Sequence, residues 1–394
     1  MNCKLKNIDL LYTINAFIKG QLQIQKAGRE LANYRAEAER KNIIVPSQDK
    51  LVQLLSDRLQ GRGFKVQATN KRRLHIFVAY CVTNWEAALP KALKSFGEVT
   101  EFDWRKEGFD ERGSDWLSRR DKMNKEMLDR FRHAHKDRKV DVVIGYLSGH
   151  NTSPVILEEM GKAGAVVFNF CWDDKLNFPG GKKGNRYTSP AAIADAVDLN
   201  LTNAPDSIIK YMVEGGLAMF WPEAADPNLH RPYDVPFDFD VSFVGACYGW
   251  RPTFIRNLIK LGVKVECFGP GWPNGPLSDE EMVKLYSRSR INVGFAGVGY
   301  SKKLMCLKAR DFEVPMSGGL YLTQDNPELR LVYDVGREIL TYKNEKDCAE
   351  KIKFLLSRPE QTDRIRKAGR KRALQDHTWE KRFEQLFNLA GLVE

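Results

Sequence analysis

Arg310 and Glu313 stand three residues apart in a segment, 308–323, that reads as helix, glycine turn and buried strand. Three residues is most of a helical turn, so both side chains leave nearly the same face. Such a pair is either a solvated ion pair or a guanidinium and a carboxylate turned together onto a polar ligand. Gly318-Gly319 ends the helix. Just upstream, Gly294-Phe-Ala-Gly297-Val-Gly299-Tyr-Ser-Lys-Lys303 is a glycine-rich loop feeding a helix N-terminus with two lysines. Exposed loop amides and the positive end of a helix suit a diphosphate, although the spacing fits neither the P-loop nor the dinucleotide fingerprint. In the first half of the chain His150 follows a strand within Ser148-Gly149-His150-Asn151, as a general base or as a cap on the helix at Pro154. Asp173 and Asp174 follow the next strand, as a base or as an Asx turn. His133 and His135 lie on a charged helix end and read as solvated, not metal-bound. No residues compose a convincing catalytic triad.

These residues need a scaffold, and the pattern from residue 74 onward supplies one. Strands are expected at 74–80, 99–102, 140–146, 165–170, 199–202 and in a short run ending at Trp221. Helices at 85–96, 114–136, 154–163, 190–196 and 206–214 alternate with them. Four prolines between 222 and 239 read as a connector. A second series follows, with strands at 241–245, 263–268, 291–295, 320–323 and 338–342. Its helices fall at 251–261, 279–287 and 303–317, and further helices end the chain. Alternation of this kind predicts α/β architecture: two Rossmann-like parallel-sheet domains, 74–222 and 223–394, facing a cleft at their strand C-termini. Residues 1–73 form an N-terminal helical appendage, with helices at 8–40 and 49–59 broken at Pro46-Ser47.

Composition sets the outer bounds. The chain has 394 residues, 43% hydrophobic and 29% charged, which excludes disordered and fibrous classes. Mean hydropathy is −0.44 and no apolar run reaches the length of a membrane span. The first twenty residues, interrupted by Lys4, Lys6, Asp9 and Lys19, do not read as a signal peptide. Seven cysteines, no two closer than 20 residues, fit neither a disulfide framework nor a paired zinc motif, and imply a reducing, cytoplasmic setting. The net charge is +11, and residues 1–73 hold 15 basic and 6 acidic residues, so the positive field belongs to the N-terminal segment.

The order Arg310-Asp-Phe-Glu313, Gly318-Gly319, Glu338-Ile-Leu-Thr-Tyr, Ala368-Gly369-Arg370 and His377-Thr378-Trp379 resembles the C-terminal domain of CgeB-like glycosyltransferases, a family named after a spore-maturation protein. Phe243-Val-Gly245-Ala-Cys-Tyr248-Gly-Trp-Arg251 and Phe268-Gly269-Pro-Gly-Trp272 resemble its first two strand-to-helix turns. The resemblance implies a GT-B fold whose C-terminal domain holds a nucleotide-sugar, expected to be UDP-linked, and whose N-terminal domain takes the acceptor. On that basis Glu313 would accept from the ribose hydroxyls. Arg251, otherwise a surface helix cap, would neutralise the diphosphate with help from Lys303, Arg310 and the loop glycines Gly297 and Gly299. On the same basis Gly245, Gly269, Gly318 and Gly319 would shape the donor site. His150, Asp173 and Asp174 would face the acceptor or the transferred sugar. Many retaining members carry a glutamate eight residues before the ribose glutamate; here that position is Met305, so the pattern assigns neither retention nor inversion. No cofactor or essential metal is expected, because basic groups and helix dipoles can hold the diphosphate. A nucleotide-sugar epimerase of the same fold and a non-catalytic sugar-nucleotide or nucleic-acid binding module are the alternatives.

Two accounts fit the basic N-terminal segment. An acidic acceptor, whether nucleic acid, another anionic polymer or a membrane surface, would be drawn to it, and phage DNA glucosyltransferases show that a GT-B body can act on DNA. Alternatively, the apolar stripe of Leu11, Ile14, Phe17 and Ile18 packs on the body or on a second copy in a homo-oligomer, and the charges solvate the outer face.

Overall fold

A computed structural model describes residues 10–64, 73–81, 88–183 and 186–393. They fall into two compact units, residues 27–222 with 379–393, and residues 10–26 with 223–378. The division is not by contiguous segments: the N-terminal helical residues are shared between the units, and the last helix belongs with the first sheet.

Helix α1 (Leu10–Arg40) contributes residues to both units. Its expected apolar stripe is exposed, whereas Ala16 and Gly20 are the residues it buries in its first half. α2 (Gln48–Gly61) starts at Ser47, whose hydroxyl accepts from the Lys50 amide, and buries Leu51, Leu55 and Leu59. The chain then builds β1 (Leu74–Tyr80), α3 (Ala88–Leu93), β2 (Gly97–Asp103), α4 (Trp116–Asp137), β3 (Val142–Gly145), α5 (Pro154–Lys162) and β4 (Val166–Cys171). A two-residue hairpin, β5 (Lys182–Lys183) and β6 (Arg186–Tyr187), precedes β7 (Leu199–Thr202), α6 (Ile208–Val213) and β8 (Ala218–Phe220). Six strands pair in the order β2-β1-β3-β4-β7-β8, all parallel. β1, β3 and β4 are buried at every position, as a sheet covered on both faces requires. The expected helix at 85–96 is described only from residue 88, its earlier part lying outside the described residues. The helix expected at 190–196 is a single 3₁₀ turn, Pro190–Ala192, and the Ala194 carbonyl beyond it accepts from the Asn200 side-chain amide on β7 at 2.9 Å.

The second unit contains β9 (Phe239–Val244), α7 (Arg251–Lys260), β10 (Glu266–Phe268), α8 (Asp279–Arg288), β11 (Ser289–Val293), α9 (Ala309–Met316), β12 (Tyr321–Gln324), β13 (Leu340–Tyr342), α10 (Glu345–Leu356) and α11 (Pro359–Asp376). Its five parallel strands run in the order β10-β9-β11-β12-β13. The proline-rich stretch before β9 is no free connector: Ala225 bridges to Thr378, and His230 is buried. The last helix, α12 (Trp379–Leu389), returns to the first unit. There Phe383 lies 5.5 Å from Trp221 and Phe387 lies 5.0 Å from Phe96, so its aromatic face completes that core.

The largest departure from the sequence reading is at 303–317, where the helix begins only at Ala309. The Ser301 hydroxyl accepts from the Lys303 and Leu304 amides, and Gly297 bridges antiparallel to Met305, so this stretch folds back as a hairpin. Asp311 then caps α9 by accepting from the Lys308 amide at 2.7 Å. Burial raises the Asp311 carboxyl to about 7, against the cap and the nearby Arg310 and Lys308 charges, which lower it. A folded-state pKa above the unfolded value means that the native state holds this proton more tightly. The associated stability is therefore present below about pH 4 and lost as pH rises toward 7. Asp311→Asn preserves a cap acceptor without the charge, so its stability relative to the native chain is expected to improve between pH 4 and 7 and level off above. Urea denaturation at several pH values checks this, and a difference independent of pH would contradict it.

Candidate functional site

In the unit built on β9–β13, two arginines converge on the turn after β9. The Arg251 guanidinium donates to the Ala246 carbonyl at 3.1 Å and lies 4.4 Å from the Tyr248 ring centre. Arg310, in the first turn of α9, comes within 3.4 Å of where a Cβ on Gly245 would stand. Both guanidinium carbons are 5.9 Å from the Phe243 ring centre. Arg251 is 6% exposed, and burial, then the Arg310 charge, pulls its pKa down to about 10. The Arg310 Nε is buried with no hydrogen-bond partner. Among the described residues no carboxylate forms an ion pair with either. Two like charges in a partly desolvated turn, with Glu313 and Asp311 acting on Arg310 only from beyond ion-pair distance, form a site in which an anion is favoured.

The Gly245 and Gly269 backbones touch. A Cβ on Gly269, at φ +122°, would fall 2.5 Å from the Gly245 carbonyl oxygen, which also accepts from the Trp272 indole at 2.8 Å. These glycines bring the β9 and β10 turns together beside the arginines. Glu313 is on the same helix as Arg310, and its carboxylate lies 3.9 Å from His230 Nε2. His230 donates through Nδ1 to the Asp226 carbonyl, and its buried Nε2 has no hydrogen-bond partner. Sequence reading missed His230 because it lies in the stretch taken for a connector.

The glycine loop does not feed a helix N-terminus, which corrects that part of its reading, and much of its backbone is committed to packing. The amides of Val298, Tyr300, Ser301, Lys303, Leu304 and Cys306 all donate to protein acceptors. A side chain at Gly297 would meet the Ser301 carbonyl and the Trp250 ring, and one at Gly299 would meet Gln23. Lys303 is exposed and lies on the hairpin, away from any helix start. Gly318, at φ +73°, ends α9, and Gly319 lets Val314 and Asn292 approach β12. Both are structural.

The other unit carries a polar cavity of about 410 Å³ at the C-terminal ends of β1, β3 and β4. His150 and Asp173 both line it, with Glu111, Tyr146, Ser148 and Asn151. His150 Nε2 lies 3.3 Å from the Glu111 carbonyl; a carbonyl only accepts, so the proton sits on Nε2 and Nδ1 is the basic nitrogen. Three asparagines fix this loop. Asn151 Oδ1 accepts from the Ser148 amide, and Asn169 pairs with both backbone groups of Leu147. The buried Asn124 on α4 donates to the Asn151 carbonyl at 2.7 Å and accepts from the Ser153 amide at 2.8 Å. Asp173 is exposed and accepts from the Tyr146 hydroxyl at 3.2 Å. Burial and then the Asp173 charge hold the Tyr146 phenol well above its usual range.

Asp174 does not reach this cavity, which removes it from the candidate bases. It is 1% exposed and accepts from the Tyr211 hydroxyl at 2.9 Å, its neighbour Asp173 pointing the other way into the cavity. Burial raises its carboxyl to about 6, opposed by Thr202, Lys210, Tyr211 and Ser207. The two cavity cysteines are poor nucleophiles in this setting: burial pushes the Cys171 thiol well up, and Cys81 is buried too.

Comparison with known proteins fits this picture. Residues 251–388 match the family model described as "Glycosyl transferase-like", a span that begins at Arg251 and includes Arg310 and Glu313. No curated protein matches by sequence. Among solved structures, sucrose-phosphate synthase from Thermosynechococcus elongatus is similar at TM-score 0.56 and 12% identity, over 80% of this chain and 98% of that one. The Anabaena protein HepE in complex with UDP-glucose is similar at TM-score 0.55 and 11% identity, over 80% and 99%. An α-glucosyltransferase in complex with UDP-glucose and DNA containing an abasic site is similar at TM-score 0.51 and 14% identity, also over 80% and 99%. The chain has the GT-B fold, and its residues 251–388 are glycosyl transferase-like.

Proposed function

We propose that this chain is a CgeB-like glycosyltransferase that moves a sugar from a UDP-linked donor to an acceptor. The observation that carries the reading is the convergence of Arg251, which is buried, and Arg310, whose Nε is buried and unpartnered, on one turn with no carboxylate in ion-pair contact, where a diphosphate would lie beside Glu313. In this reading the two guanidiniums hold the diphosphate and stabilise the charge that grows on it as the sugar leaves. Glu313 accepts hydrogen bonds from the ribose hydroxyls. His150, through Nδ1, or Asp173 takes the acceptor's proton in the polar cavity. HepE and the DNA-bound α-glucosyltransferase, both similar in fold, were each solved with UDP-glucose, which supports the choice of donor.

Glu313→Ala is expected to weaken UDP binding by about 1.5–3 kcal/mol, the range for a hydrogen bond to a charged group, while the protein stays folded. Calorimetric titration against the native chain measures it, and unchanged affinity in a folded variant would remove Glu313 from the site. Release of UDP from UDP-glucose, faster with an acceptor than without, tests the reaction itself; a donor that binds but is never consumed would leave only a binding module.

Turnover is expected to persist in EDTA, since two guanidiniums supply the positive charge that a metal would otherwise bring. Loss of activity on chelation, restored by magnesium or manganese, would contradict this assignment.

A further inference from the structure

Among the described residues, nothing covers an apolar surface on the first turns of α1. Ile14, Phe17, Ile18 and Leu22 are 47%, 65%, 50% and 57% exposed. Steps of four residues advance about 40° around a helix, so Ile14, Ile18 and Leu22 form one narrow stripe with Phe17 on its shoulder. The opposite side is firmly docked within its own unit. Ala16 is buried, a Cβ on Gly20 would fall 2.6 Å from the Tyr300 carbonyl oxygen, and Gln23 accepts from the Tyr300 amide at 2.8 Å. The stripe thus faces outward because the helix is held by its other face. Beside it runs an apolar groove of about 240 Å³, lined by Phe17, Ile24, Trp250 and Tyr300 together with Lys302 and Lys303.

Charge decides what covers this surface. Residues 10–29 contain no Asp or Glu and three basic residues, Lys19, Lys26 and Arg29. A second copy packed stripe to stripe would bring only positive charge to the flanks, where paired helices place opposite signs. A nucleic acid answers the charge but gives three aliphatic side chains nothing to bury them. An anionic bilayer answers both, with its acyl region taking the stripe and its phosphates the lysines. No described helix is long and apolar enough to cross a membrane, so α1 would lie along the surface. We propose that the N-terminal half of α1 is an interfacial anchor that seats the protein on an anionic lipid surface.

Flotation with phosphatidylcholine vesicles containing about 30% phosphatidylglycerol, against phosphatidylcholine alone, tests this at low and high salt. The intact chain is expected to bind the anionic vesicles at least about tenfold more strongly, and less so at high salt. The combined change Ile14→Ser, Ile18→Ser and Leu22→Ser, which leaves Ala16, Gly20 and Gln23 in place, is expected to reduce that binding about tenfold without changing the melting temperature. Should this variant fail to fold, the charge and salt dependence of the intact chain decides the matter alone. Equal binding to both vesicles, or to neither, overturns the proposal. So does a dimer that the triple change makes monomeric, or salt-sensitive binding to duplex DNA in a chain that ignores vesicles.

Discussion

Two guanidinium groups share one backbone turn, and among the described residues no carboxylate stands in ion-pair contact with either, Glu313 and Asp311 acting on Arg310 from farther away. Removing cations from water costs several kcal/mol each, and placing them side by side adds repulsion. Part of the cost is offset by the Ala246 carbonyl and by the faces of Tyr248, Phe243 and Phe295, which take Arg251 in cation–π contact. The remainder is left for an anion to relieve. Gly245 and Gly269 keep the turn narrow, α7 presents Arg251 at its first residue, and the cap at Asp311 fixes the start of the helix that carries Arg310 and Glu313.

Much of the fold was legible in the sequence because buried parallel strands declare themselves as β-branched and aromatic runs. Leu74–Tyr80 and Leu199–Thr202 fall where their residues place them. The misreadings arise where local side-chain hydrogen bonds or close backbone packing override the residue pattern. Lys303 to Lys308 has the composition of a helix start, but the Ser301 hydroxyl and the Gly297–Met305 bridge turn it back. The stripe on α1 looks like a packing face, yet the small residues Ala16 and Gly20 allow the closer approach and win the interior.

At the candidate sites, residue type was a better guide than the local motif. Arg251 and Arg310 are far apart in sequence and were each read toward a diphosphate; the structure brings them to the same turn. The glycine loop had the more suggestive pattern, but no helix starts at its end and many of its amides are spent on its own hairpin and on Gln23. Asp173 and Asp174 cannot be separated by type, since adjacent residues differ only in the direction a backbone turn gives them. Asn124 and His230 carry no local signal at all: a polar residue on a charged helix and a histidine among prolines acquire meaning only from what packs against them.

The central claim is that Arg251 and Arg310 hold the diphosphate of a nucleotide, and the most direct measurement is calorimetric titration with uridine, UMP and UDP in turn. The account requires affinity to rise by more than about tenfold at each added phosphate, as hydrogen bonds between charged groups are made, and that rise to collapse in Arg251→Ala. Equal binding of uridine and UDP, or a phosphate dependence that survives the loss of Arg251, would contradict it.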